Sequence, residues 1–326
     1  MVLFFQIILE KTLFNEYIIG LQKIFLLQDT LWNKSEALEN LVKMLKQQNT
    51  CENLEPGPAA LLFEALFTCQ HQDKMHFLAV EALALMVRCV RPEVLDQCLG
   101  RLSLGICKIG APSGVSLALL IMKKSPPKRL LSEVMERCFG HKTREGALQL
   151  LMASARLLPR NDLEIQKMTE FAAATLRDRR RRVRHAALET LATLAQLTSN
   201  AEVLDTVERV TKSLPDHQYV LRVMRTRLSR RQLPTVELDG TVRYSTPRDQ
   251  TELEWLSGIN NTDTQSVSSS ASSSNNSVNY WRHNSRHEED EPIMETTLSS
   301  VKVCKFIRLV QSHGRGSKSD TSASCE

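Results

Sequence analysis

Glycine and proline are scarce, at 12 and 11 of 326 residues, or about 7% together against the roughly 12% of an average chain. That scarcity argues against a turn-rich all-β fold and against a glycine-looped nucleotide site. Aromatic residues make up only 5% of the chain. No uninterrupted apolar run reaches the ~20 residues that a membrane helix needs. The apolar start, MVLFFQIILEKTLFNEYIIG, has no basic leading region and no small-residue cleavage site, and Glu10, Lys11 and Glu16 interrupt it. The eight cysteines include no C-x-x-C, so zinc and thioredoxin chemistry lack their ligand spacing, and the thiols read as buried groups of a reducing compartment. Walker loop, nucleophile elbow, H-E-x-x-H and Rossmann fingerprint are all missing. His71, His76, His141, His185 and His217 are scattered without Cys or carboxylate partners at ligand spacing, and each reads as a surface residue. Catalysis, metal and cofactor binding therefore have no motif to rest on.

What remains is helix. From residue 17 to residue 233 the chain repeats one theme of an apolar stretch with helical spacing, a short polar turn, a second such stretch and a looser break. The expected pairs run from Tyr17 to Gln28 and Lys34 to Gln48, then Pro58 to Cys69 and on to Cys89, Pro92 to Cys107 and on to Lys124, Arg129 to Phe139 and Arg144 to Leu158, Asn161 to Leu176 and on through VRHAALETLATLAQL, and Asn200 to Leu214 and His217 to Arg231. Prolines at helix starts and Ser125-Pro126-Pro127 at a break punctuate the pattern. In the fifth pair Val183, Ala187, Leu191 and Leu194 form one apolar stripe. Six helical hairpins at ~35–40 residue spacing predict an all-α solenoid of HEAT or armadillo kind, because each hairpin must stack on its neighbours to bury its face. A non-repetitive helical bundle is the alternative.

The predicted division is an N-terminal apolar segment at 1–16, the repeat domain at 17–233, a short β-hairpin-like extension at 234–245 and a Ser-rich flexible tail at 246–326. The extension alternates Val236, Leu238, Val242 and Tyr244 around Asp239-Gly240. The tail holds eight serines between Ser266 and Ser277 and an acidic run at Glu288-Glu289-Asp290-Glu291, a composition too polar to offset its ordering entropy.

Charge is unevenly placed. Residues 29–233 hold 31 Lys and Arg against 22 Asp and Glu, a net of +9, whereas the rest of the chain carries 11 against 15, a net of −4. The positive residues gather at the turns inside the hairpins: Lys34, Lys74, Lys108, Lys142 with Arg144, and the run Arg177, Arg179, Arg180, Arg181, Arg182 and Arg184. In a solenoid those turns align along one edge, which predicts a basic ridge suited to an acidic partner; the plainer alternative is that each charge only solvates its own turn. Trp32 lies at the first turn, outside the stripe Ala37, Leu38, Leu41, Val42 and Leu45, as either an interface anchor or a staple over the helix start.

These residues resemble a TOG domain, the six-HEAT-repeat tubulin-binding module of the microtubule polymerase, CLASP and crescerin families. The resemblance rests on DTLWNK at 29–34 followed by SEALENL at 35–41, on DRRRRVRHAA at 178–187, which matches a D-x-x-x-x-V-R-x-A-A turn and helix, and on the six hairpins. RLSRRQLP at 227–234 with the Asp-Gly hairpin looks more like crescerin, a ciliary protein, than like CLASP. The chain departs from the family at Ser35, where many relatives carry Arg, and at the third turn, which lacks an acidic and basic pair. The resemblance implies a non-enzymatic, cofactor-free module that binds tubulin or microtubules in the cytoplasmic cytoskeleton or cilium. It implies contacts from Trp32, Lys34, Lys74, Lys108, Lys142, Arg144, Arg179, Arg180 and Arg182. Membrane and nucleic-acid partners are not expected, since the arginine run lacks the interleaved aromatics of a base-stacking platform. A generic HEAT adaptor using a helix face instead of the turns is the competing reading.

Overall fold

The computed structural model describes residues 31–47, 54–69, 73–140 and 142–257. The predicted segment 1–16, the predicted first helix from Tyr17 to Gln28 and the chain beyond Ser257 lie outside the described residues. In chain order the helices are α1 (Leu31–Gln47), α2 (Pro56–Thr68), α3 (Asp73–Cys89), α4 (Pro92–Ile109), α5 (Ser113–Ile121), α6 (Pro127–Arg137), α7 (Arg144–Leu157), α8 (Ile165–Ala174), α9 (Arg181–Leu194), α10 (Asn200–Thr211) and α11 (His217–Ser229). Strands β1 (Thr235–Val236) and β2 (Val242–Arg243) and a last helix α12 (Gln250–Ser257) follow.

The helices stack in two layers. One holds α2, α4, α6, α8 and α10, the other α1, α3, α5, α7, α9 and α11; from α2 on each helix packs on its hairpin partner, and consecutive members of each layer pack on one another. This is the HEAT-type solenoid that the apolar periodicity predicts. Proline opens α2, α4 and α6, where its missing N–H costs nothing because the first helical amides have no internal acceptor. The stripe Val183, Ala187, Leu191 and Leu194 is buried. Where the layers press closest, side chains vanish: a Cβ on Gly146 of α7 would sit 2.0 Å from the Cys107 carbonyl oxygen at the end of α4.

Two expectations need correction. α1 begins at Leu31, so Trp32 lies inside the helix instead of in the turn before it; no Gly or Pro stands there to stop the helix from extending. The tail does not begin at 246, because Gln250–Ser257 is helical and buries Trp255 and Leu256. Polar composition concealed two apolar residues with a helix face to cover.

The segment after α11 works as a strap across the α1-to-α11 layer. β1 and β2 pair antiparallel, Thr235 opposite Arg243 and Val236 opposite Val242. At the tip Gly240 has φ +87°, and a Cβ there would lie 2.3 Å from the Pro112 carbonyl oxygen, so only glycine fits the turn and the close approach. Ser116 Oγ donates to the Asp239 carbonyl, Gln149 Nε2 donates to the Tyr244 hydroxyl at 3.2 Å, and the Tyr244 ring meets His185 edge-on at 4.9 Å. His185 is thus half-buried, not the surface residue its spacing suggested, and burial pushes its imidazole pKa down against the raising pull of Glu189. Burial likewise raises the Tyr244 hydroxyl well above its ordinary value.

The strap is fastened at Glu189 on α9. Its carboxylate and the Arg227 guanidinium of α11 are both 0% exposed. They pair through Nε to Oε1 at 2.6 Å and Nη2 to Oε2 at 2.9 Å. Ser245 adds its amide at 3.2 Å and its hydroxyl at 2.8 Å, and Arg230 donates at 3.1 Å. Arg230 also reaches Glu252 of α12 at 3.2 Å. Removing one side of such a pair leaves an uncompensated buried charge. Arg227→Ala is therefore expected to cost about 3–5 kcal/mol, read from urea unfolding, while Arg231→Ala, at an exposed position, leaves the midpoint nearly unchanged.

Candidate functional site

The two-layer topology sends every turn inside a hairpin to one edge and every break between hairpins to the other. Along the first edge lie the C-terminal end of α2 and the start of α3, Gly110–Pro112, Cys138–Gly140 with Lys142–Thr143, Thr175–Arg180 and Lys212–Asp216. α1 packs beside α3 in the same layer, and its Lys46 pairs with Glu81, at the middle of α3, at 2.6 Å.

Neighbouring turns are tied together by ion pairs. Arg144 at the start of α7 donates from Nη1 to Asp178 Oδ2 at 2.7 Å, bridging the fourth turn to the fifth. Arg177 Nε lies 3.2 Å from Asp216 Oδ1, bridging the fifth to the sixth. Asp178 also organises its own turn, taking the Arg180 amide at 2.9 Å and the Arg180 guanidinium at 3.3 Å on Oδ1. Burial pushes the Asp178 carboxyl up, but the Arg180 amide and the Arg144 guanidinium more than offset it and hold the pKa below its ordinary value. Arg184 donates to the carbonyls of Asp178 at 3.0 Å, of Arg179 at 2.7 Å and of Leu256, and its guanidinium lies 5.6 Å from the centre of the Trp255 ring. The strap is thereby anchored to the back of the fifth turn.

The nine candidate residues fall into three groups. Lys108 at the end of α4, Lys142 in the fourth turn, Arg179 in the fifth and Arg182 in the first turn of α9 are exposed, and none of the four forms an ion pair among the described residues. Arg144 and Arg180 are half-buried and spend their guanidinium groups on Asp178. Trp32 and Lys34 stand in the first turn of α1 and Lys74 in the first turn of α3; the side chains of these three lie outside the described part. Lys74, Lys108 and Arg182 are helical rather than in turns, yet at helix ends on the same edge.

Sequence reasoning missed Asp178 as the carboxylate that organises the fifth turn. It also passed over Phe139, which ends in the fourth turn with its ring 4.9 Å from that of Phe171. An aromatic directly before Gly140 was the available signal. Among the described residues no cluster of three or more His, Cys, Asp or Glu is placed to hold a metal ion, and no helix is long and apolar enough to cross a membrane.

A two-layered stack of helical hairpins whose inner turns form one cation-bearing edge is a HEAT-type solenoid. More narrowly, the described part shares its fold with a crescerin TOG domain. The chain is 28% identical over 242 residues to the mouse protein called TOG array regulator of axonemal microtubules protein 1, and equally to its human counterpart. In both cases 67% of this chain is covered, and the chain spans 13% of the length of the relative. Among solved structures it is similar to a crescerin TOG domain, from a protein whose TOG array regulates microtubules in the primary cilium. The TM-score is 0.57 at 22% identity, covering 66% of this chain and 92% of that one. No family model matches the chain.

Asp178→Ala is expected to lower stability by about 1–3 kcal/mol at pH 7, since it strands the Arg144 and Arg180 donors. A carboxyl held below its ordinary pKa contributes stability that is present above that value and fades as pH falls through the folded pKa. The gap between wild type and variant, measured by urea unfolding, should therefore narrow below about pH 4.

Proposed function

We propose that this chain is a non-enzymatic module that binds tubulin or microtubules through the basic edge and regulates microtubule dynamics in the cytoskeleton, with the cilium as its setting. The observation that carries this reading is the continuity of the edge. The fourth, fifth and sixth turns are locked by Arg144–Asp178 and Arg177–Asp216, and Lys108, Lys142, Arg179 and Arg182 are exposed at the third, fourth and fifth turns of that edge. Fixed cations along a rigid line attract an acidic protein surface and speed its docking. Trp32, Lys34 and Lys74 extend the same edge toward the N-terminus, with Trp32 as an aromatic anchor, while Arg144 and Arg180 hold the turns in shape. The names of the relatives support microtubules as the partner.

A generic adaptor would use a helix face. Most of the second-layer face from α5 to α11 is crossed by the strap, with Gly240 against α5, Tyr244 against α9 and α12 against α9 and α11. That occupied face favours the edge.

The test is to mix the chain with tubulin dimers and with polymerised microtubules, and to follow co-elution on gel filtration and co-sedimentation. Wild type should bind one or both at low salt and more weakly as salt rises. Arg179→Glu with Arg182→Glu should weaken binding roughly tenfold or more. Binding unchanged by that double reversal, or no binding at low salt, would reject the edge.

A further inference from the structure

Single exposed apolar side chains are ordinary on a protein surface, but near the basic edge two stand on neighbouring helices. Phe139 in the fourth turn, just after α6, is 47% exposed and Leu104 on α4 is 40% exposed. Cys138 places its Sγ 3.7 Å from the Ser103 carbonyl, which holds the end of α6 against α4 one residue before each of the two. Cations border them. Lys108 lies one helical turn beyond Leu104 on the same face of α4, Lys142 follows Phe139 in the same turn, and both lysines are exposed.

Phe139 is also held still. Its ring leans on buried Phe171 at 4.9 Å with a 48° tilt, and its carbonyl accepts from Arg144 Nε at 2.6 Å. The Gly140 carbonyl that follows receives the amides of Thr143 at 3.1 Å and Arg144 at 3.2 Å. An aromatic ring kept half in water in a fixed orientation loses little freedom when a partner covers it. Phe is enriched in the cores of protein interfaces, which a polar rim surrounds, and the residues that dominate binding sit near the centre in well-packed, desolvated pockets.

We propose that Phe139, supported by Leu104 of the neighbouring helix, is an apolar anchor of the tubulin-facing edge, seated in a shallow apolar depression of the partner while Lys108 and Lys142 meet carboxylates around it. This rests on the tubulin reading above. The fourth turn is then a contact of mixed character, apolar at its centre and cationic at its rim, and Arg144 serves it by positioning the Phe139 backbone.

The experiment titrates labelled tubulin with the full chain as wild type, Phe139→Ala, Leu104→Ser and the double variant Lys108→Ala with Lys142→Ala, at low and at high salt. Phe139→Ala should raise Kd about tenfold and Leu104→Ser about threefold, by the same factor at both salt concentrations. The loss in the lysine double variant should shrink at high salt. Thermal unfolding reports whether Phe139→Ala keeps its fold; if it does not, Leu104→Ser, which alters only an exposed helix position, decides. Folded Phe139→Ala and Leu104→Ser both binding within twofold of wild type, while Arg179→Glu with Arg182→Glu abolishes binding, would overturn the anchor and leave the edge standing. A wild-type chain that binds no tubulin at either salt overturns both.

Discussion

The carboxylate of Glu189 closes a structure that is otherwise open. A solenoid of helical hairpins has no natural end, because each hairpin buries its face only by receiving the next. Here the last hairpin is met by the chain itself. Arg227 brings α11 to Glu189, Ser245 brings the end of the β-hairpin, and Arg230 passes the connection on to Glu252 of α12. Burying so many charges costs solvation, offset by the hydrogen bonds that Arg227, Arg230 and Ser245 give to the carboxylate. The position of α12, and through Arg184 the backing of the fifth turn, follow from that clasp.

The edge obeys a second economy of charge. Its arginines look interchangeable as letters, yet they divide the work by burial. Arg144, Arg180 and Arg184 face inward and fold the turns around the Asp178 carboxylate and the neighbouring carbonyls. Arg179 and Arg182 are left facing solvent. Basic density in the sequence therefore overstates the charge offered to a partner, and the structural share of it keeps the remaining share in line.

Much of the fold was legible because it is written in local rules. Apolar stripes at helical spacing, prolines at helix starts and polar breaks between pairs placed the helices, and the stacking requirement placed the layers. The solenoid, and its likeness to a TOG domain, could be read from DTLWNK and SEALENL, DRRRRVRHAA and the repeat count together. The strap was only half legible: Asp239-Gly240 announced the turn, but nothing local says that Gly240 must lie against Pro112, more than a hundred residues earlier. The helix Gln250–Ser257 was hidden for a similar reason, since Trp255 and Leu256 find their burial on α9 and α11 rather than in their own neighbourhood. His185 misled because its environment is supplied by Tyr244. At the edge, residue type and position placed the cations, but which arginines are spent on Asp178 is a property of three-dimensional packing, and Phe139 looked like the end of an apolar helix until its turn was seen.

The strap also changes the mechanics of the array. A stack in which each unit touches only its neighbours bends and twists as a spring, and the separations along its rim vary with that bending. The hairpin and α12 span from Ser116 on α5, past Gln149 on α7 and Glu189 on α9, to Tyr219 and Arg227 on α11. They form a tie-rod across the four later repeats that crosses three of the joints at once. Curvature is constrained there, whereas the α1–α3 and α3–α5 joints ahead of the tie are held by helix packing. The later part of the rim behaves as a ruler with fixed graduations, set by a brace that the earlier part does not share.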